Sequence, residues 1–206
     1  MFDVVVVMDP IGSIKIAKDS TFSMLLEPQR RGHRLLYVLR GGLWVRGGVA
    51  GATAAPLTVR DTYGDHYELG TASQIELGSQ HVVLMRKDPP VDTDYLNDTQ
   101  VLGLAQHAGA FIVNDPQGLR DLNEKLGSLE FPECCPPSLV SRDAAMLKAF
   151  VAEHGQAVVK PLDGMGGRSI FRVGAGEPNA NVILETITAG GRHLAVAQRF
   201  IPEIAQ

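Results

Sequence analysis

The sequence predicts an α/β protein that begins with an open, mostly parallel β-sheet flanked by helices. Short runs rich in Val, Leu and Ile are almost continuously apolar, as strands are when both faces of a sheet are covered. These runs are residues 2–8, 34–39, 81–85 and 111–113. Helical spacing follows the first and third runs, so the order of strand, loop and helix typical of parallel sheets recurs along the chain.

The first helix is expected between residues 19 and 31. Asp19 and Ser20 can cap its start, and Arg31-Gly32 can end it. Pro28 lies inside this segment, where a proline costs about 3 kcal/mol unless the helix kinks. The sequence offers no feature that compensates for this cost.

The next elements complete a first domain that closes near residue 122. Residues 41–56 contain the turn Gly47-Gly48, which predicts a hairpin at the sheet edge. The third apolar run ends in Arg86-Lys87-Asp88, and open α/β sheets bind ligands at the carboxyl ends of their strands. A helix over residues 94–107 then leads to the fourth run.

A second domain, residues 123–206, follows a different pattern. The apolar spacing predicts a helix at 143–154, strands at 157–160 and 169–173, a helix at 182–188 and a strand at 194–200. The first two of these strands are joined directly by a glycine-rich loop. This direct connection indicates an antiparallel pair.

Composition indicates a globular protein that binds small molecules. The 206 residues are 45% hydrophobic and 20% charged, enough for an ordinary core. The formal charge of -4 comes from interspersed acids and bases, which argues against binding to nucleic acid or to a membrane surface. The apolar start contains Asp3 and lacks a basic leader, so it fits neither a signal peptide nor a membrane span. We expect a cytoplasmic protein.

Cysteine and histidine patterns give no metal ligands and no catalytic nucleophile. The two cysteines, Cys134 and Cys135, are adjacent, whereas zinc sites and disulfide frameworks use several spaced residues. The six histidines show no pair at metal-ligand spacing, and no Gly-x-Ser-x-Gly elbow occurs.

Residues 158–170 carry the pattern most typical of phosphate binding. Lys160 stands at the end of a predicted strand, and three glycines follow it, Gly164, Gly166 and Gly167. Glycines let backbone N–H groups approach phosphate oxygens, and the lysine supplies a cation. The order differs from a Walker loop and from a dinucleotide fingerprint. Taken alone, the glycine spacing favours an ordinary hairpin turn, and it is the lysine and the flanking strands that favour phosphate binding.

The run Lys-Pro-Leu-Asp-Gly-Met-Gly-Gly at residues 160–167 resembles the phosphate-covering loop of bacterial glutathione synthetases, members of the ATP-grasp superfamily. Similar runs follow the family order along the whole chain, at residues 7–11, 18–20, 24–27, 84–90, 113–114, 119–126 and 197–202. The resemblance implies that residues 1–122 are an N-terminal substrate domain, the pre-ATP-grasp domain. It also implies that residues 123–206 are the first part of an ATP-grasp domain whose second lobe is truncated.

The resemblance assigns roles to residues of the second domain. It implies that Lys125 and Lys160 are the catalytic lysines that hold the phosphates of ATP. The lid over the phosphates would be formed by Gly164, Met165, Gly166 and Gly167. The strand that meets adenine would contribute Gln198, Arg199, Phe200 and Ile201. For Phe200, plain core packing is an equally good interpretation.

Three residues of the first domain are candidates for binding the peptide substrate. Arg86 can hold a carboxylate through two parallel hydrogen bonds, although a surface ion pair with Asp88 or Asp92 is the alternative. Asp19 and Ser20 are further candidates for the same pocket, but a helix cap explains them as well.

The family's reaction joins γ-glutamylcysteine to glycine at the expense of ATP, through an acyl phosphate, and yields ADP, phosphate and glutathione. It needs Mg²⁺ (or Mn²⁺) but no enzyme nucleophile. The resemblance thus implies a ligase of glutathione biosynthesis that forms homo-oligomers. In the family the metal ligands lie in a later part of the chain. We therefore expect the 206-residue chain to be inactive by itself and to leave sheet edges near residues 194–201 unpaired.

Two other functions compete with this one. The first is another ATP-grasp carboxylate-amine ligase with a different acid and amine. The second is a non-catalytic fragment that acts as a binding or assembly module and docks onto a complete synthetase or onto a separately encoded second half. An unrelated small α/β ligand-binding domain would require the matches in all segments to be coincidental.

Overall fold

The computed structural model describes residues 1–164, 166–167 and 169–205. The chain forms two compact units, of which the first ends at Asp121 and the second begins at Leu122. This division lies one residue before the boundary that the sequence suggests at residue 122. None of the helices in the described part is long and apolar enough to cross a membrane.

The first unit contains one eight-stranded sheet and three helices. Its strands are β1 (Asp3–Met8), β2 (Arg34–Leu39), β3 (Leu43–Arg46), β4 (Val49–Val59), β5 (Tyr67–Leu69), β6 (Ser73–Glu76), β7 (His81–Met85) and β8 (Phe111–Val113). Its helices are α1 (Ser20–Arg30), α2 (Thr93–His107) and α3 (Pro116–Asp121). The strand order is β3-β4-β2-β1-β7-β8, with β5 and β6 both paired to β4.

The sheet has a parallel half and an antiparallel half. Strands β2, β1, β7 and β8 pair in parallel, as the sequence predicts. Strand β4 runs antiparallel to β2 and carries β3, β5 and β6 as further antiparallel neighbours. The predicted hairpin is confirmed as β3 and β4. Strands β5 and β6 were not predicted, because they are short and largely exposed.

Helices on both sides of the parallel strands explain the continuous apolarity of the strand sequences. In β1, Val5 and Val7 join a core that includes Leu102 of α2. Val4 and Val6 point to the opposite face and join a second core with Phe22 of α1. Because successive side chains of a strand alternate between faces, both sets must be apolar.

Helix α1 begins and ends as the sequence predicts and accommodates Pro28. The Asp19 carboxylate caps it by accepting a hydrogen bond of 2.7 Å from the Phe22 amide. Since the helix ends at Arg30, the hydrogen bond that Pro28 cannot donate is missing only from the last turn. The chain leaves through Gly32, whose positive φ of 80° suits glycine.

The second unit is a four-stranded antiparallel sheet backed by two helices. Its strands are β9 (Ser138–Ser141), β10 (Gln156–Pro161), β11 (Phe171–Gly174) and β12 (Ala195–Arg199), and its helices are α4 (Ala144–His154) and α5 (Ala180–Ile187). Leu147 and Val151 of α4 and Leu184 of α5 pack on Ala157 and Val159 of β10. The antiparallel pair predicted across the glycine loop is confirmed as β10 and β11.

The expectation of an unpaired sheet edge near residues 194–201 is wrong. Strand β12 lies inside the sheet, between β10 and β9, and Ala195, Val196 and Ala197 are fully buried. The second neighbour is β9, a four-residue strand that follows Pro136-Pro137 and has too little apolar pattern to be recognised in the sequence. The edges of this sheet are β11 and β9.

Candidate functional site

A cavity of about 370 Å³ in the second unit gathers most of the residues that the sequence singles out there. Lys125, Lys160 and Gln198 line it together with the glycine loop, which contributes Gly164, Gly166 and Gly167. The wall is completed by Glu124, Ser128, Pro161 and Ile170, of which Ser128 alone lies outside the segments that the sequence singles out. The two lysines come from different elements, since Lys160 ends β10 and Lys125 lies in the segment after α3.

The Lys125 side chain is held against the glycine loop. Its Nζ donates to the carbonyl oxygens of Leu162 and Gly164 at 3.2 and 2.7 Å, and to Glu124 Oε1 at 2.8 Å. Asn123 fixes the backbone beneath it, because its Oδ1 accepts from the Lys125 amide at 2.9 Å and its Nδ2 donates to Leu162. Lys125 thus ties the start of the loop to the rest of the cavity.

Lys160 is half-buried and lacks a carboxylate within 4 Å among the described residues. Burial lowers the pKa of its ammonium, and the positive charge of Lys125 lowers it further, while Glu124 opposes the change. A bound anion would favour the charged form of Lys160. The cavity therefore has the electrostatic character of an anion site.

The glycine loop adopts a backbone conformation that side chains disfavour. Gly166 and Gly167 have φ values of 65° and 78°, in the left-handed region. A Cβ at either position would meet no atom within 4 Å, so the backbone conformation rather than lack of space calls for glycine. Met165, another predicted lid residue, lies outside the described residues.

The predicted adenine strand divides between two cavities. Gln198 faces the lysine cavity, and its Nε2 donates to Ser138 Oγ at 3.1 Å. Arg199 and Phe200 line a separate cavity of about 560 Å³, where the Arg172 guanidinium lies 4.2 Å from the Phe200 ring. Ile201 is exposed and borders neither cavity. Side chains alternate along a strand, which explains why Gln198 and Arg199 face different cavities, whereas Phe200 lies beyond the end of β12.

The first unit brings Arg86, Asp19 and Ser20 together at the N-terminus of α1. The Arg86 guanidinium donates from Nε to Thr21 Oγ1 at 3.0 Å and from NH2 to Ser20 Oγ at 3.1 Å. Asp19 is the adjacent N-cap residue of α1. The proposed ion pair of Arg86 with Asp88 or Asp92 is absent from the described residues, where Asp92 instead pairs with Arg40 at 3.0 Å.

Two further carboxylates belong to this cluster. Asp9 follows β1, and its Oδ2 accepts from the Asp88 amide at 2.8 Å. Burial raises the pKa of Asp88, the charges of Asp9 and Asp19 raise it further, and Arg86 lowers it. Asp9 and Asp88 were not among the substrate contacts expected from the sequence, although both follow parallel strands whose carboxyl ends meet at one edge.

Lys87 is a buried cation next to this cluster. Only 1% of its side chain is exposed, and it lies 3.9 Å from Asp92 and 4.0 Å from Asp98. Its Nζ sits 5.0 Å from the centre of the Tyr95 ring and makes no hydrogen bond within the described residues. This packing ties the chain after β7 to α2.

The described residues contain no group of three or more His, Cys, Asp or Glu side chains arranged to hold a metal ion. Cys135, half-buried, donates its thiol to the Ser128 carbonyl at 3.0 Å, and Cys134 is exposed.

Two family models match the chain and together cover nearly all of it. The model for the prokaryotic glutathione synthetase N-terminal domain matches residues 2–120. The model for the prokaryotic glutathione synthetase ATP-grasp domain matches residues 124–206.

Individual relatives agree with the family models. The chain is 69% identical to a glutathione synthetase of Xanthomonas axonopodis pv. citri over 98% of this chain and 64% of that protein. It is 59% identical to one of Xylella fastidiosa over 99% and 65%, and 48% identical to one of Salmonella typhimurium over 97% and 63%. The chain thus spans less than two thirds of the length of these relatives.

Solved structures share the fold at low sequence identity. D-alanyl-alanine synthetase A from Vibrio cholerae matches with a TM-score of 0.59 at 12% identity, over 97% of this chain and 60% of that one. A RimK domain protein ATP-grasp from Sphaerobacter thermophilus matches with a TM-score of 0.59 at 18% identity, over 97% and 64%. These neighbours show an ATP-grasp fold, and the two family models show that the chain belongs to the prokaryotic glutathione synthetases.

Proposed function

We propose that this chain supplies the ATP-phosphate and peptide-binding parts of a glutathione synthase, which joins γ-glutamylcysteine to glycine through an acyl phosphate and converts ATP to ADP and phosphate. The observation that carries the proposal is the shared cavity of Lys125, Lys160 and the glycine loop. Family membership and the ATP-grasp fold support it. We further propose that the protein acts in the cytoplasm as a homo-oligomer, as the family resemblance implies.

The lysine cavity fits a polyphosphate. Lys160 lacks a carboxylate partner among the described residues, and the pKa of its ammonium is already lowered by burial and by Lys125, so phosphate oxygens would restore the missing counter-charge. The backbone of Gly166 and Gly167 can approach those oxygens closely because no side chain intervenes. Lys125 would exchange one carbonyl partner for phosphate and so couple nucleotide binding to loop position.

The Arg86 cluster suits a peptide that carries both carboxylates and an amino group. Among the described residues the Arg86 side chain donates only to hydroxyl groups, so its guanidinium can donate to a carboxylate without breaking an ion pair. Asp9, Asp19 and Asp88 stand close to it and match an ammonium group. γ-Glutamylcysteine combines both kinds of group.

The contribution of these residues to catalysis is positioning and neutralisation of charge. Lys125 and Lys160 offset negative charge on the transferring phosphoryl group, and the glycine loop excludes water once it closes over the site. We propose Mg²⁺ (or Mn²⁺) as the metal of the full-length enzyme. The described residues do not offer a suitable group of ligands, so we derive no step through the metal.

The test is a kinetic comparison in the full-length protein that contains this sequence. Glutathione formation should require ATP, γ-glutamylcysteine and glycine, and Lys160→Met should lower kcat/KM by about 100-fold or more, the scale of losing one charge-stabilising group. Lys148→Met, which removes an exposed lysine of α4, is the matched control and should leave the rate unchanged.

A panel of other acids and amines separates this function from its competitors. Preference for another acid or amine would identify a different carboxylate-amine ligase. ADP release that is independent of all of them would reject ligase activity. Equal effects of the Lys160 and Lys148 substitutions on kcat/KM would show that the lysine cavity is not part of the active site.

A further inference from the structure

The second unit has another cationic cavity, of about 490 Å³, at the end of its sheet. Arg142 lies just after β9, the segment 161–163 leaves β10, and Arg192 and His193 precede β12. Ile187 of α5 forms part of the wall. Pro161 lines both this cavity and the lysine cavity, whereas Lys125, Lys160 and the loop glycines line only the latter.

The backbone at both arginines is fixed by hydrogen bonds. Next to Arg142, Ser141 Oγ accepts from the Asp143 amide at 3.0 Å, and Asp143 caps α4. Ahead of Arg192, the buried Thr188 hydroxyl donates to the Leu184 carbonyl at 2.7 Å. Thr188 also accepts from the Gly191 amide at 3.3 Å through its hydroxyl and from the His193 amide at 2.9 Å through its carbonyl. Two structured turns therefore present the guanidinium groups.

The charges of this cavity are not balanced within the described part of the chain. Neither Arg142 nor Arg192 has a carboxylate within 4 Å there, although Asp163 lines the same cavity. By contrast, Arg30, Arg31, Arg34, Arg40 and Arg60 all form ion pairs with acids.

We propose that the cavity of Arg142 and Arg192 is a second anion site, which binds a small divalent oxyanion such as a phosphate or a dicarboxylate. Guanidinium groups bind such oxyanions through paired N–H donors. The ligand would also touch residues 161–163, the segment that leads from Lys160 into the glycine loop. Because Lys125 donates a hydrogen bond to the Leu162 carbonyl, a ligand in the second site would also change the position of the glycine loop in the lysine cavity.

Calorimetric titration of the chain with inorganic phosphate, and separately with succinate, tests the proposal and shows which oxyanion binds better. Arg142→Gln and Arg192→Gln should each weaken binding about 5- to 10-fold, as expected for loss of a charged hydrogen-bond donor. Lys148→Gln removes one exposed cation from the same unit and should leave the affinity unchanged. Circular dichroism and thermal unfolding verify that each variant is folded.

A double variant, Lys125→Gln with Lys160→Gln, separates the two cavities. Oxyanion binding that persists in this variant, with hydrogen-exchange protection at residues 141–142 and 190–194, supports the second site. Binding that disappears in this variant but survives both arginine substitutions would locate the anion in the lysine cavity and overturn the proposal. Failure to reach saturation with either oxyanion would also overturn it. None of these outcomes bears on whether Lys160 is needed for glutathione formation.

Discussion

At the scale of single residues, the lysine cavity places two like charges close together in a partly buried setting. This arrangement is unfavourable for the charged form of Lys160, and its pKa is lowered by burial and by the charge of Lys125. Sites that bind ligands often keep such unfavourable arrangements because the ligand relieves them.

Lys160→Met should therefore stabilise the free chain and weaken its binding of nucleotide. Removal of the repulsion with Lys125 should raise the free energy of unfolding by about 0.5 kcal/mol. Affinity for a fluorescent ATP analogue should fall at least about tenfold, as for loss of a charged phosphate contact. Thermal unfolding and titration measure the two effects. A variant that is less stable than the parent chain would contradict the electrostatic argument.

His81 should make the first unit sensitive to acid. Burial lowers the pKa of this histidine below its ordinary value, with Asp3 opposing and Arg34 adding to the change. Below about pH 6.5 the unfolded chain binds a proton at this histidine that the folded chain does not bind. The free energy of unfolding therefore decreases as the pH is lowered, until the histidine of the folded chain is protonated as well. The slope from this one group is at most about 1.4 kcal/mol per pH unit.

Urea unfolding between pH 5 and 8 measures that slope. His81→Gln should reduce it, whereas His107→Gln, at an exposed position of α2, should leave it unchanged. Identical slopes in all three proteins would exclude His81 as the source of the acid sensitivity.

At the scale of elements, the start of α1 joins a helix cap to a candidate substrate site. Asp19 caps the helix, and the next two residues hold Arg86. Residues 19–21 therefore stabilise the helix, and in the proposed site they would also position Arg86 for substrate binding.

Two substitutions separate these roles. Asp19→Ala should lower the free energy of unfolding by about 1 kcal/mol through loss of the cap, whereas Asp19→Asn, which can still accept from the Phe22 amide, should cost only a few tenths. Denaturant unfolding measures both variants. If the Asn variant keeps its stability but raises KM for γ-glutamylcysteine in the full-length protein, the Asp19 charge contacts the peptide. Equal losses of stability would show that capping is not the source of the effect.

The elements also show what the sequence could and could not predict. Strands β2 and β7 begin and end where the apolar runs do, because burial on both faces leaves a continuous signal. The edge strand β8 also matches its apolar run, although Ile112 is its one buried residue. Strands β5, β6 and β9 carry few buried apolar residues, so their pairing to β4 or β12 decides their structure. The lysine cavity could be anticipated from its motif, but the clustering of Asp9 and Asp88 with Arg86 depends on strand order.

At the scale of the whole molecule, each unit is built on its own buried clusters. The first unit has one cluster on each face of its sheet, and the second has a single cluster between its sheet and helices. Their helices differ in the same way, since α1 and α2 cover opposite faces whereas α4 and α5 share one.

Leu147→Ala should destabilise the second unit by about 2–5 kcal/mol. This side chain is fully buried between α4 and the sheet, and its truncation leaves a cavity. Hydrogen exchange should show the loss in amides of β10 and β12. Met146→Ala, one position earlier and half-exposed, is the control and should change stability by less than about 0.5 kcal/mol. A comparable loss in both variants would mean that burial of the Leu147 side chain in the core is not the source of the effect.

The interior position of β12 affects how this unit forms during translation. Strands β9 and β10 are not neighbours in the sheet, because β12 lies between them, yet β12 is the last of the four to leave the ribosome. Until about residue 199 has emerged, β9 has no strand partner and β10 has only β11. Residues 195–199 thus join β9 to β10 in the sheet. A nascent chain that is halted before them would expose the unpaired edges of β9 and β10 to the chaperones around it.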